Sequence, residues 1–169
     1  MNPIEHLLQE HRDIMAQVTD LRRAVADLGT RGEAALPDVL PMLKRIGHMM
    51  ETQLALHAKK EDEALFPAIE AIIGAEGGPT YVMRVEHKAI HGQGELLRRT
   101  LHELNEVEHP KIVAGGGSAE VLKSSAEEII RLLDMHFGKE EQILFPMAAN
   151  MLDQATLEEI GQKMEAMRL

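Results

Sequence analysis

HAKKEDEALFP at residues 57–67 returns as HFGKEEQILFP at residues 136–146. In both copies a His stands four residues before a Glu, and Leu-Phe-Pro follows. Spacing of four places the two polar side chains on one face of a helix, about one turn apart. That face is otherwise apolar: Leu54 precedes His57 and Leu65 follows Glu61, while Leu133 precedes His136 and Ile143 and Leu144 follow Glu140. A His and a Glu at core positions of two matching helices need a reason, because buried polar groups without partners are costly.

The repeat extends outward from these segments. Glu10-His11 through Arg23 matches Glu86-His87 through Arg99, with Ile14/Ile90, Gln17/Gln93 and Leu21/Leu97 in step. The third and fourth helices therefore read as a copy of the first two. A two-fold pseudosymmetric site between the pairs follows from that arrangement.

Gly and Pro set the boundaries. Asn2-Pro3 reads as an N-cap followed by Pro at the first helical position, and Gly29 as the stop of that helix. A second helix is expected from about Pro37 to Ile73, broken by the run Gly74 to Pro79. A third runs from about Thr80 to Val107. His109-Pro110 and Gly115 to Gly117 mark a loop, and Ser118 opens a fourth helix. Thr156-x-x-Glu159 has the pattern of a capping box for a last short helix. Pro67 and Pro146 fall inside helical patterns and are expected to kink them. The fold expected is all-α: an up-down-up-down four-helix bundle with a short extra C-terminal helix. It forms a single domain over residues 1–169, with the bundle at about 3–150 and the short helix at about 156–168.

Composition agrees with helices and excludes several functions. Aromatic residues make up only 2%, while Leu, Met, Ala, Glu and Lys abound. The formal net charge is −10, which disfavours nucleic acid and anionic membrane surfaces as partners. There is no cysteine, so disulfides and thiolate ligation are excluded. No secretory signal or spanning segment is visible, and a cytoplasmic protein is expected.

Seven polar residues occupy core positions: His11, His57, Glu61, His87, His91, His136 and Glu140. Counted from the nearest loops at about 1.5 Å per residue, they gather near one level of the bundle axis. A pair of metal ions satisfies all of them at once. Neutral imidazole suits first-row transition metals, and a carboxylate can bridge two ions with its two oxygens. His6, His48, His102 and His109 have no matching partner and read as surface or supporting residues. Glu10 and Glu86 point about 100° away from the neighbouring His and read as solvated or supporting. Asp62, Glu63 and Glu141 read as a charged outer face, any one of which could join the site. Phe66 and Phe145 read as packing residues near the metals.

The four pieces, His11, His57-x-x-x-Glu61, His87-x-x-x-His91 and His136-x-x-x-Glu140, resemble the hemerythrin and HHE cation-binding family over about residues 3–150. The resemblance implies two Fe ions with a bridging oxo or hydroxo group, and Glu61 and Glu140 across both. It implies His87, His91 and His136 on one iron and His11 and His57 on the other, whose vacant position meets O2, peroxide or nitric oxide. It is compatible with a binder or sensor, with a catalase-like oxidoreductase, and with iron storage, sensing or delivery. Oxygen-carrying members have an Asp five residues after the last His; here Glu140 stands four after His136, as in the wider bacterial HHE group.

Overall fold

The computed structural model describes residues 2–106 and 117–169. The expected loop features His109, Pro110 and Gly115, and the expected helix end at Val107, lie outside the described residues. Helix α1 (Pro3–Arg31) starts on Asn2, whose side-chain oxygen accepts from the Ile4 N–H at 2.9 Å. It runs past Gly29, the expected stop. Gly32 ends it instead with φ of 56°, a left-handed value that costs glycine little. The extra turn brings Arg31 within 2.9 Å of Asp27 and 2.8 Å of Asp38, which ties the end of α1 to the start of the next helix.

Helix α2 spans residues 36–73 and helix α4 spans 118–151; between them lies α3 (Pro79–Glu106). Both α2 and α4 contain a turn of π-helix where the kinks were expected, at Glu61–Leu65 and at Glu140–Leu144. The cause lies just beyond. Proline has no N–H, and its ring presses on the carbonyl four residues back. For Pro67 and Pro146 those carbonyls belong to Glu63 and Gln142, inside the π turns. There the bonding shifts by one residue, so the Phe66 N–H reaches the Glu61 carbonyl and the Phe145 N–H reaches that of Glu140. The kinks are absorbed as π turns, and each turn begins at a repeated Glu.

The four long helices pack in a square, each against its two neighbours, as an up-down-up-down bundle. The short α5 (Gln154–Ala166) lies against the start of α1 and the Glu61–Leu65 π turn of α2. Its cap is Asp153, whose Oδ1 accepts from the Thr156 N–H at 2.8 Å, rather than Thr156 itself. Asp is at least as good an acceptor there, so the helix starts earlier than the capping-box pattern suggests. No helix among the described residues is long and apolar enough to cross a membrane.

The apolar interior is divided. One cluster runs from Ile14 through Leu43, Leu97 and Leu133 to Phe137. The other contains Ile4, Leu7, Leu65, Phe66, Met83 and Phe145 and is completed by Ile160 and Met164 of α5. Between them lies a polar layer of fully buried His11, His57, Glu61, His136 and Glu140.

Candidate metal centre

Each long helix supplies one imidazole to the layer, and the two that carry π turns supply a carboxylate as well. Two groups of ligand atoms result, each drawn within 4.8 Å: His11, His57, Glu61 and Glu140 in one, and His87, His136, Glu61 and Glu140 in the other. Both Glu belong to both groups. Glu61 turns Oε1 to His57 Nε2 at 3.4 Å and Oε2 to His87 Nε2 at 3.2 Å. Glu140 turns Oε2 to His11 Nε2 at 3.1 Å and Oε1 to His136 Nε2 at 3.1 Å. One oxygen towards each side is the arrangement by which a carboxylate bridges two cations.

The outer nitrogens fix which way the imidazoles face. Nδ1 of His11 meets Glu141 at 2.9 Å, that of His57 meets Glu10 at 3.0 Å, that of His87 meets Asp62 at 3.1 Å and that of His136 meets Glu86 at 2.9 Å. A carboxylate can only accept, so each Nδ1 carries the proton and, in the neutral ring, each Nε2 presents a lone pair inward. Lys60 donates to Glu10 and Lys139 to Glu86, again in matching positions. Arg84 meets Asp62 at 3.2 Å. Carboxylates thus orient the ligands and Lys or Arg holds three of those carboxylates, an arrangement typical of metal-bound His.

The layer fits cations. His11 Nε2 and His57 Nε2 face each other at 3.1 Å, and two lone pairs do not sit so close without a proton or a metal ion between them. No oxygen of Glu61 or Glu140 has a hydrogen-bond partner, nor does Nε2 of His87 or His136. Six carboxylates (Glu10, Glu61, Asp62, Glu86, Glu140 and Glu141) stand against three cations (Lys60, Arg84 and Lys139). Burial alone lowers the His57 pKa, yet the charge of Glu61 and the Glu10 carboxylate that accepts from Nδ1 push it up to about 10. Burial is likewise outweighed at His87, where Asp62 and Glu61 raise the value to about 9. Burial acts to raise Glu61, but His57 and His87 hold it well below the ordinary carboxylate value. Without a metal, the layer takes up protons to offset its negative charge.

His91 is not brought to the layer. Its side chain is 61% exposed, with Nε2 3.4 Å from Glu95 Oε1 on the same helix. At 100° per residue, His87 already lies about 40° to one side of the line through Met83 and Leu101 on the regular α-helix α3. A further 40° carries His91 outward, and the inward position falls to Ile90, which is 4% exposed. His91 instead lines the mouth of a cavity between α2 and α3, with Arg98 beside it. The cavity, about 400 Å³ with its opening to solvent, is walled by Met50, Leu54 and Ile90 and reaches His57, His87 and His136.

The sequence reading left Asp62 and Glu141 on an outer face and Glu10 and Glu86 as solvated or supporting. In the structure all four are Nδ1 acceptors. His6, read as surface or supporting, accepts from Lys60 Nζ at 2.8 Å. The signal was the repeat itself, since Glu10/Glu86, Lys60/Lys139 and Asp62/Glu141 are matched positions. Aromatic rings close the layer from either side. Phe137, not singled out from sequence, stacks on His11 with centroids 3.7 Å apart, and Phe66 stacks on His87 at 5.7 Å.

A four-helix bundle with a buried, paired histidine–carboxylate layer defines a class of cation-binding proteins. The sequence matches the hemerythrin HHE cation-binding domain over residues 2–148, and again over 79–168, and the chain belongs to that family. The second match begins where α3 begins, at the start of the internal repeat. Among curated proteins it is similar to the iron–sulfur cluster repair protein YtfE of Escherichia coli O81 (strain ED1a), with 30% identity over 154 residues. The alignment covers 86% of this chain and 64% of that relative. The YtfE proteins of Escherichia coli O1:K1 and of Escherichia fergusonii are 29% identical over the same extent. The chain thus spans less than two thirds of the length of these relatives.

Proposed function

We propose that this is a non-haem di-iron protein whose ions are held by His11, His57, Glu61, His87, His136 and Glu140. These six residues would hold two Fe ions with an oxo or hydroxo group, and the ligand met there would be O2, peroxide or nitric oxide. The observation that carries the reading is the pair of buried carboxylates with one oxygen towards each of two His pairs, at the end of an apolar-walled cavity. Iron so held supplies a redox-active Lewis acid to a small oxidant. The chain's own groups do the rest. Glu10, Asp62, Glu86 and Glu141 fix the imidazoles, Phe66 and Phe137 exclude water, and the cavity walls admit small molecules. With two His on each side, the proposed ligand set is symmetric, and His91 stands at the entrance.

The test narrows the cavity. A Cβ on Gly94 comes 3.2 Å from Met50 Cε and 3.4 Å from Met50 Cβ, so Gly94→Ala presses the flexible Met50 side chain into the space that both residues line. Iron content is expected to stay at the wild-type level while the absorption change on adding azide, nitric oxide or peroxide weakens by about tenfold, roughly 1.4 kcal/mol. Unaltered responses in an iron-loaded variant would show that small molecules reach the iron by another way. Continuous peroxide loss in the wild type marks a catalase-like enzyme, and a persistent complex marks a binder or sensor.

The similarity to iron–sulfur cluster repair proteins supports a second reading, in which the site holds iron for delivery to damaged clusters. This chain has no thiolate of its own to grip a cluster. Its part would be confined to iron or nitric oxide chemistry in the His–Glu layer. Transfer of iron from the loaded protein to a cluster-lacking acceptor measures it directly.

A further inference from the structure

The two halves of the repeat differ in what covers them. In the first half, α5 packs on the start of α1 and on the Glu61–Leu65 turn, and Ala64 is buried in the cluster that α5 completes. The equivalent residue in the second half is Ile143, and it is 61% exposed. Beside it an apolar groove of about 440 Å³ lies between the start of α3 and the Glu140–Leu144 turn, lined by Val82, Met83 and Leu144. No described element fills it.

The outer surface of α3 continues this bare patch. Val82, Val85, Ala89, Gly92 and Leu96 are all exposed and recur at alternating spacings of three and four. That is the seam pattern of two helices packed along their length. The same positions on α1 are His6, Gln9, Asp13, Ala16 and Asp20, a largely polar face. The repeat thus supplies an internal control, and of the two matching helices only α3 carries the apolar seam.

We infer that this face joins a second copy of the chain, with the two α3 helices antiparallel. The pattern is self-complementary in that direction. Val85 meets Leu96 of the second copy, and Ala89 meets Gly92, whose small side chains let the helices approach closely. The flanking charges agree: Lys88 falls beside Glu95 of the second copy, twice across the two-fold axis. Val82 and Ile143 widen the apolar contact beside Leu96 of the second copy. A seam of about four turns on a surface two helices wide buries on the order of 500 Å² per copy, enough for a reversible dimer.

Sedimentation equilibrium on the full chain from micromolar to millimolar concentration tests this. The wild type is expected to dimerise. Lys88→Glu alone and Glu95→Lys alone each place like charges together and should weaken the dimer about tenfold or more. The double variant K88E/E95K should restore it, which a merely structural effect of either change would not do. Both positions are exposed, and helical content and metal content monitor the fold independently. A wild type that stays monomeric throughout, or a dimer indifferent to the single changes, overturns the inference.

Discussion

Replacing Glu61 by Gln should empty both ion positions rather than one. Its two oxygens point to different imidazoles, His57 at 3.4 Å and His87 at 3.2 Å, and the side chain is fully buried. Gln keeps the shape but removes the charge and turns one end into a donor, which cannot ligate a cation. Among the described residues the layer loses one of only two carboxylates that reach both groups, so affinity for iron should fall by more than about 100-fold. That is beyond the about 10–100-fold loss expected for Glu86→Gln, which acts only through the orientation of His136. Elemental analysis of the two variants measures the difference. A firmly held single ion in Glu61→Gln would mean that Glu61 serves one side only.

Removing the metal should lower the unfolding temperature and make it fall with rising pH. With the free metal at about a hundred times its dissociation constant, the bound form is stabilised by about 2.7 kcal/mol, or roughly 5–10 °C for a chain of this size. The sign of the pH effect follows from the imidazoles. The folded metal-free protein holds protons on His57 and His87 to about pH 10 and 9, against an ordinary value of 6.5. Groups with raised pKa values stabilise the fold fully below the unfolded value and lose that contribution as pH rises through the folded one. The chelated protein should therefore melt at progressively lower temperature between about pH 7 and 10. The loaded protein should hold, because the ions take the place of those protons, and it should lose metal in acid as protons compete for Nε2. Calorimetry of both forms across pH decides it. Parallel curves for loaded and chelated protein would remove the metal from the layer.

The all-α bundle was legible because its polar layer is written twice, at His57/Glu61 and His136/Glu140, on stripes that are otherwise apolar. Periodicity misplaced His91, since His87 already stands at the edge of the inward stripe of α3, and four residues further on a His lies outside that stripe while Ile90 falls within it. It also undervalued Glu10 and Glu86, which look off-axis when judged against their own helix. Their partners sit on the neighbouring helices: Glu10 of α1 reaches His57 of α2, and Glu86 of α3 reaches His136 of α4. A position aimed at a neighbour is the one such a residue needs, and a single helix's pattern holds no record of its neighbours. The π turns were announced only as prolines; the repeated Leu-Phe-Pro after each Glu was the trace of them.

The most direct measurement is iron per chain, with the absorption spectrum, for the wild type, His91→Ala and His87→Ala, all purified in air from iron-supplied cells. Two irons per chain in the wild type and in His91→Ala, with loss of iron and a weakened spectrum in His87→Ala, is the expected result. A wild type without iron, or loss of an ion in His91→Ala with full retention in His87→Ala, would contradict the six-ligand site.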